Sequence, residues 1–121
     1  MQKTLILLGA GGECVHAILH AKKLGYRVLA TDKNPQACGA TVADEFLPLC
    51  AYTPEESVAG LLAWRERGGD PGGVLCVAVD APTTVAAVGK ALNLSAISVE
   101  TAQLATDKLA MKDMFRARGI P

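Results

Sequence analysis

Aromatic side chains are scarce: two Phe, two Tyr and one Trp make up 4% of the 121 residues, although half of the chain is hydrophobic. Ala, Val and Leu carry the apolar content instead, which suits helices packed tightly against a sheet better than a β-sandwich. Net charge is missing as well, because twelve Lys plus Arg cancel twelve Asp plus Glu. No long-range field then draws the chain to nucleic acid or to an anionic membrane surface, and neither is expected as a partner. Long apolar runs are also absent. The first begins at Leu5 and is cut at Gly9, which leaves neither a signal-peptide core nor a membrane span, so a cytoplasmic protein is expected. The four cysteines, Cys14, Cys38, Cys50 and Cys76, form no CxxC pair. Cys50 in LPLC and Cys76 in VLCVAV stand among apolar neighbours, where Cys behaves as a small hydrophobe. Cys14 stays open as a reactive thiol, because a helix N-terminus lowers a thiol pKa.

What the chain does have is alternation. Apolar runs bounded by turn residues, TLILL before Gly9, RVLAT before Asp32, EFLPL, VLCVAV before Asp80 and a weaker SAIS, read as five strands. Helices are expected over about 13–24, closed by Gly25, over 54–67 and over 82–92, with a short turn or helix after Pro35. RERGGDPGG, Arg65 to Gly73, reads as a helix-to-strand loop. Strand and helix in turn call for an α/β, Rossmann-like doubly wound, mostly parallel five-stranded sheet with helices on both faces. After SAIS come two consecutive helical pieces, VETAQLA and TDKLAMKDMFRARG, so the chain divides into a layer over 1–98 and a C-terminal helical extension over 99–121.

The turn LLGAGGECVH approaches the dinucleotide fingerprint G-x-G-x-x-G. Gly9, Gly11 and Asp32 fit it in placement, but Cys14 stands where the third glycine belongs. Glu13 is the stronger objection, since a carboxylate in the first helical turn competes with a pyrophosphate for the same amides. Three readings stay open here: a tight turn that Gly9, Gly11 and Gly12 merely permit, a small-ligand loop, and a dinucleotide site. Asp32 in TDKNP and Asp80 in VDAP both follow strands, where a doubly wound sheet keeps its ligand crevice, yet acids there are equally ordinary as turn formers and caps. His16 and His20 have i, i+4 chelate spacing but no third ligand nearby, so no metal site is assigned. Lys108, Lys112 and Arg116 form a basic stripe beside Leu109, Ala110, Met114 and Phe115, and a solvated helix face explains it as it stands.

Taken in order, LILLGAGGE, TDKNP with ATVADEF after it, VDAPTTVAAVGKALNL and above all ISVETAQLATDKLAMKDMFRARGIP resemble the pre-ATP-grasp domain, which precedes the ATP-binding half of the carbamoyl phosphate synthase-like ATP-grasp ligases. GAGGECVHA also resembles the GGREHA turn of the glycinamide ribonucleotide synthetases, with Cys14 in place of the glutamate. The resemblance implies a glycine loop that binds a small carboxylate or amine substrate through Gly9, Gly11, Gly12, Glu13, Asp32 and Asp80. It implies that Lys108, in the DK helix, contacts nucleotide phosphates. It implies ATP and Mg2+ in the intact parent, a ligase whose ATP-grasp domain this chain lacks. The chain alone is then a truncated, inactive piece with no catalytic residues of its own and no tightly bound cofactor. A homodimer stays open. The competing readings are a stand-alone NAD(P)-binding regulatory module, which accounts for neither Glu13 nor the DK helix, and a non-catalytic interaction domain docking through its last helix.

Overall fold

The computed structural model describes residues 2–121. Strands β1 (Thr4–Leu8), β2 (Arg27–Thr31), β3 (Glu45–Leu47) and β4 (Pro71–Cys76) form one parallel sheet in the order β3-β2-β1-β4. The central strand shows why residues 5–8 can be apolar throughout. Ile6 and Leu8 point into one core and Leu5 and Leu7 into the other, so every side chain of a period-two strand meets hydrocarbon. Helices α2 (Pro54–Glu66) and α3 (Pro82–Ala91) cover the first face with Leu61, Trp64, Val88 and Leu92. Helix α1 (Val15–Lys23) and the β2–β3 connection cover the second with Ile18, Ala21 and Ala37. Full burial of each Leu or Ile contributes about 1.5–3 kcal/mol before entropy is counted.

The helix boundaries reflect local chemistry. Pro54 and Pro82 open α2 and α3 at the first turn, where the missing N–H costs nothing. Gly25 closes α1 at φ +96°, while the Tyr26 N–H reaches back 3.1 Å to the Ala21 carbonyl. The two terminal helices are α4 (Val99–Thr106) and α5 (Lys108–Ala117). Helix α4 seats Ala102, fully buried, against α3. Helix α5 buries none of its side chains and packs chiefly on α4.

Two expectations are corrected. The sheet has four strands, not five: residues 95–98 pair with nothing, and Ile97 remains 43% exposed. The reason is that Ser98 is committed to α4 as its N-cap, its Oγ accepting the Thr101 N–H at 3.1 Å. Asn93, at φ +57°, has already turned the chain away. The fourth strand also lies earlier than VLCVAV. It begins at Pro71, inside the segment expected to be loop, and stops at Cys76, after which Val77–Val79 bend out of the sheet around Ala78 at φ +52°.

Two fully buried hydroxyls, Thr31 Oγ1 and Thr84 Oγ1, have no hydrogen-bond partner among the described residues. A buried donor left unmade costs more than the isosteric methyl. Thr31→Val is therefore expected to stabilise the protein by about 1 kcal/mol, read as a rise in the urea midpoint at unchanged m-value. A fall in the midpoint would mean that the hydroxyl bonds a buried water.

Candidate functional site

In a parallel α/β sheet the ligand crevice lies beyond the carboxyl ends of the strands, where the chain leaves neighbouring strands in opposite directions. Here β2 and β3 lie on one side of β1 and β4 on the other, so the switch point falls between β1 and β4. The loops after these strands meet there. A Cβ built on Gly9 would stand 2.5 Å from Val79 Cγ2, and Gly9 itself has φ +100°. Both the contact and the conformation require glycine. Gly11 and Gly12 are under neither constraint: a Cβ on Gly11 would meet only Glu13 Oε2 at 3.5 Å, and one on Gly12 nothing within 4 Å.

Hydrogen bonds hold the loop in place. Gly9 N–H donates to the Thr31 carbonyl at 2.8 Å, and Gly39 N–H to the Ala10 carbonyl at 2.7 Å. The Asp32 carboxylate accepts the Ala10 N–H on Oδ2 at 3.1 Å and the Asn34 N–H on Oδ1 at 2.9 Å. One oxygen of Asp32 thus ties the β1 loop to the β2 loop, and the other closes the β2 loop on itself. The pocket so bounded has a volume of about 220 Å³ and is walled by Gly9, Gly11, Glu13 and Cys14 on one side, by Asp32 and Lys33, by Cys50–Tyr52, and by Ala78 and Val79.

Four of the expected substrate-binding residues, Gly9, Gly11, Glu13 and Asp32, therefore share one pocket. Gly12 begins the short 3-10 turn beside it. Asp80 is exposed and outside the lining, in a tight turn closed by the Ala81 N–H on the Val79 carbonyl at 3.0 Å. Lys108 stands elsewhere, exposed at the start of α5, where it lines a separate groove of about 440 Å³ with Met111, Lys112, Phe115 and Arg116. His16 and His20 are exposed, and no three potential metal ligands cluster among the described residues. Sequence reasoning missed Lys33 and the wall at Cys50–Tyr52. Lys33 was reachable, since it comes directly after Asp32 on the crevice side of β2. The Cys50–Tyr52 wall was hidden because EFLPL reads as strand through Leu49, whereas β3 stops at Leu47.

The two pocket thiols differ. Burial pushes the Cys14 thiol up, against the opposing effect of the Gly11 backbone, so the lowering expected of a helix N-terminus does not occur. Its Sγ packs 3.6 Å from the Val77 carbonyl. Cys50 is lowered, first by a hydrogen bond with the Thr53 side chain and then by the Tyr52 backbone. The Cys50 backbone is pinned to the start of α2, its N–H donating to the Glu56 carboxylate and its carbonyl accepting from Ser57 Oγ at 3.0 Å.

The pocket is smaller than the roughly 300–1,000 Å³ that drug-sized ligands occupy, and Glu13 lies over Gly11 where a pyrophosphate would approach. The chain is thus an α/β layer with a parallel sheet and a glycine turn at its switch point, continued by paired helices. No protein-family model matches the chain, and no curated protein does. Solved structures do. Phosphoribosylglycinamide synthetase from Anaerococcus prevotii aligns at 26% identity with a TM-score of 0.84, over 97% of this chain and 29% of that one. L-amino acid ligase from Bacillus licheniformis aligns at 16% and 0.81, over 99% and 31%. N5-carboxyaminoimidazole ribonucleotide synthetase from Thermotoga maritima aligns at 22% and 0.71, over 99% and 32%. The chain spans about a third of the length of these proteins, and its fold is that of the N-terminal part of ATP-grasp ligases.

Gly9→Ala is expected to cost about 2–4 kcal/mol, from a strained φ and the overlap with Val79. Gly12→Ala is expected to range from neutral to about 1 kcal/mol stabilising, and chemical denaturation of the two variants checks the contrast. The opposite thiol shifts predict that iodoacetamide at neutral pH modifies Cys50 well before Cys14, as peptide mapping would read directly.

Proposed function

We propose that this chain is the substrate-binding N-terminal domain of an ATP-dependent ligase of the carbamoyl phosphate synthase-like ATP-grasp superfamily, one that joins a carboxylate to an amine or similar nucleophile. The observation that carries the reading is the fold match to phosphoribosylglycinamide synthetase over 97% of the chain, together with a formed pocket at the switch point. In this reading residues 1–98 form the substrate layer and 99–121 the link to an ATP-grasp portion.

The residues present fit one part of a nucleotide site. Lys108, Lys112 and Arg116 line one groove on α5, and neither lysine has an ion-pair partner among the described residues. The first amides of α5 are already used, because Asp107 Oδ1 accepts the Leu109 and Ala110 N–H groups at 3.0 and 3.1 Å. Phosphate contact therefore falls to the Lys108 ammonium, a flexible point charge that needs no preset geometry. Metal-binding acids are not clustered among the described residues, so Mg2+ is assigned to the ATP-grasp portion. ATP supplies the phosphoryl group that activates the carboxylate. This chain holds the substrate at the glycine turn and presents a cation toward the nucleotide.

The chain alone is expected to show no magnesium-dependent ATP turnover. In a protein that joins it to an ATP-grasp half, Lys108→Ala is expected to weaken ATP binding by about 1.5–3 kcal/mol, while stability stays within about 0.5 kcal/mol as for most surface changes. Calorimetric titration with ATP and a thermal melt decide the matter together. An unchanged dissociation constant, or a large fall in Tm, would leave Lys108 an ordinary helix residue.

A further inference from the structure

We infer that the switch-point pocket selects a small zwitterion, an α-amino acid, with Glu13 receiving the ammonium and Lys33 the carboxylate. The inference rests on the substrate-binding reading of this pocket and names the ligand class. Three charged side chains reach its wall, and their hydrogen bonding separates them. Asp32 is occupied, one oxygen by the Ala10 N–H and the other by the Asn34 N–H. Glu13 and Lys33 are exposed, and neither pairs with another charge among the described residues. They come from different loops, Glu13 after β1 and Lys33 after β2, and both face the same 220 Å³. A ligand seated there meets one unspent anion and one unspent cation.

Size and charge narrow the class. A volume of 220 Å³ is roughly seven times a water's share of liquid volume, enough for an amino acid with a short side chain. Ala51 and Val79 offer that side chain an apolar wall, and Tyr52, 63% exposed, stands at the rim. A phosphate monoester would bring a charge of about −1.5 to −2 against two carboxylates and one lysine. A simple amine would leave Lys33 unused, and a simple carboxylate would leave Glu13 unused. Only a ligand with both charges uses both.

Isothermal titration of this chain with L-alanine, L-alaninamide, N-acetyl-L-alanine and ribose 5-phosphate tests the assignment. L-Alanine is expected to bind about tenfold more tightly than either blocked form, the factor for one charged hydrogen bond, and ribose 5-phosphate most weakly. Lys33→Met is expected to erase the preference over the amide and to keep the preference over the N-acetyl form. Glu13→Gln is expected to do the reverse, and both variants are expected to melt with the parent. Equal binding of alanine and its blocked forms, tighter binding of ribose 5-phosphate, unchanged preferences in the variants, or no binding at tens of millimolar would each overturn it. The ligase reading fails separately. A joined protein that turns over ATP while its pocket ignores alanine refutes the zwitterion alone, and alanine binding without ATP turnover refutes the ligase alone.

Discussion

The contact between Gly9 and Val79 is the constraint on which the pocket depends. The central strand β1 ends under the loop after β4, and the Val79 side chain lies so close to the Gly9 backbone that a single methyl at Gly9 would overlap it. That closeness forms one wall from the β1 turn and another from Ala78 and Val79. It also explains the early end of β4. Had the strand continued through VLCVAV, Val79 would stay in the plane of the sheet and the crevice would lose this side. The cost is a residue with a β-carbon, Ala78, at φ +52°. Such strain persists where surrounding contacts over-determine it, and here Gly9, Cys14 and Ala81 hold the bend from both sides.

A second constraint governs the far end of the chain. Asp107 is at once the C-cap of α4 and the N-cap of α5, in extended conformation at φ −108° and ψ 103°. One non-helical residue therefore breaks what would otherwise run as a single helix, and its carboxylate occupies the new N-terminus. The α4 side is anchored through buried Ala102, whereas α5 keeps Leu109 75% exposed. Packing energy thus stops at the break. Helix α5, beyond it, is amphipathic and exposes Leu109, Lys108 and Lys112, neither lysine paired with a carboxylate among the described residues, while Arg116 pairs with Asp113 at 3.8 Å.

Much of this fold was legible because the signals were local. Proline at the first helical turn, glycine at positive φ after the last one, and apolar runs before Gly9 and Asp32 each specify an element from within a few residues. The fifth strand was misread for the same reason. SAIS has strand-like residues, but Ser98 finds its partner in the next turn, and four residues of weak propensity do not outweigh a formed cap. The pocket was half legible. Its β1 and β2 walls come from motif and placement, while Cys50–Tyr52 arrive only through tertiary packing of the β3–α2 connection, which no spacing along the chain encodes. Cys14 shows the same limit. Its position beside a helix start suggested a lowered pKa, and burial, visible only once the sheet and α1 close over it, decides the direction.

The two acids of the glycine turn carry this distinction to the chemistry. By motif alone Glu13 and Asp32 are equivalent carboxylates near one loop, and the fingerprint gives precedence to Asp32. The hydrogen bonds reverse that order. A carboxylate whose two oxygens already accept backbone N–H groups is held in place by the protein and has fewer acceptor positions left for a ligand. Asp32 is therefore the brace that fixes where Ala10 and Asn34 lie, and through them the distance across the pocket. Glu13, without such bonds, keeps its lone pairs for whatever enters. The same accounting separates Lys33 from Lys22, whose ammonium is spent on the Val42 carbonyl at 2.8 Å. The charges this pocket presents are set by which ones folding leaves unpaired, more than by which ones the motif contains.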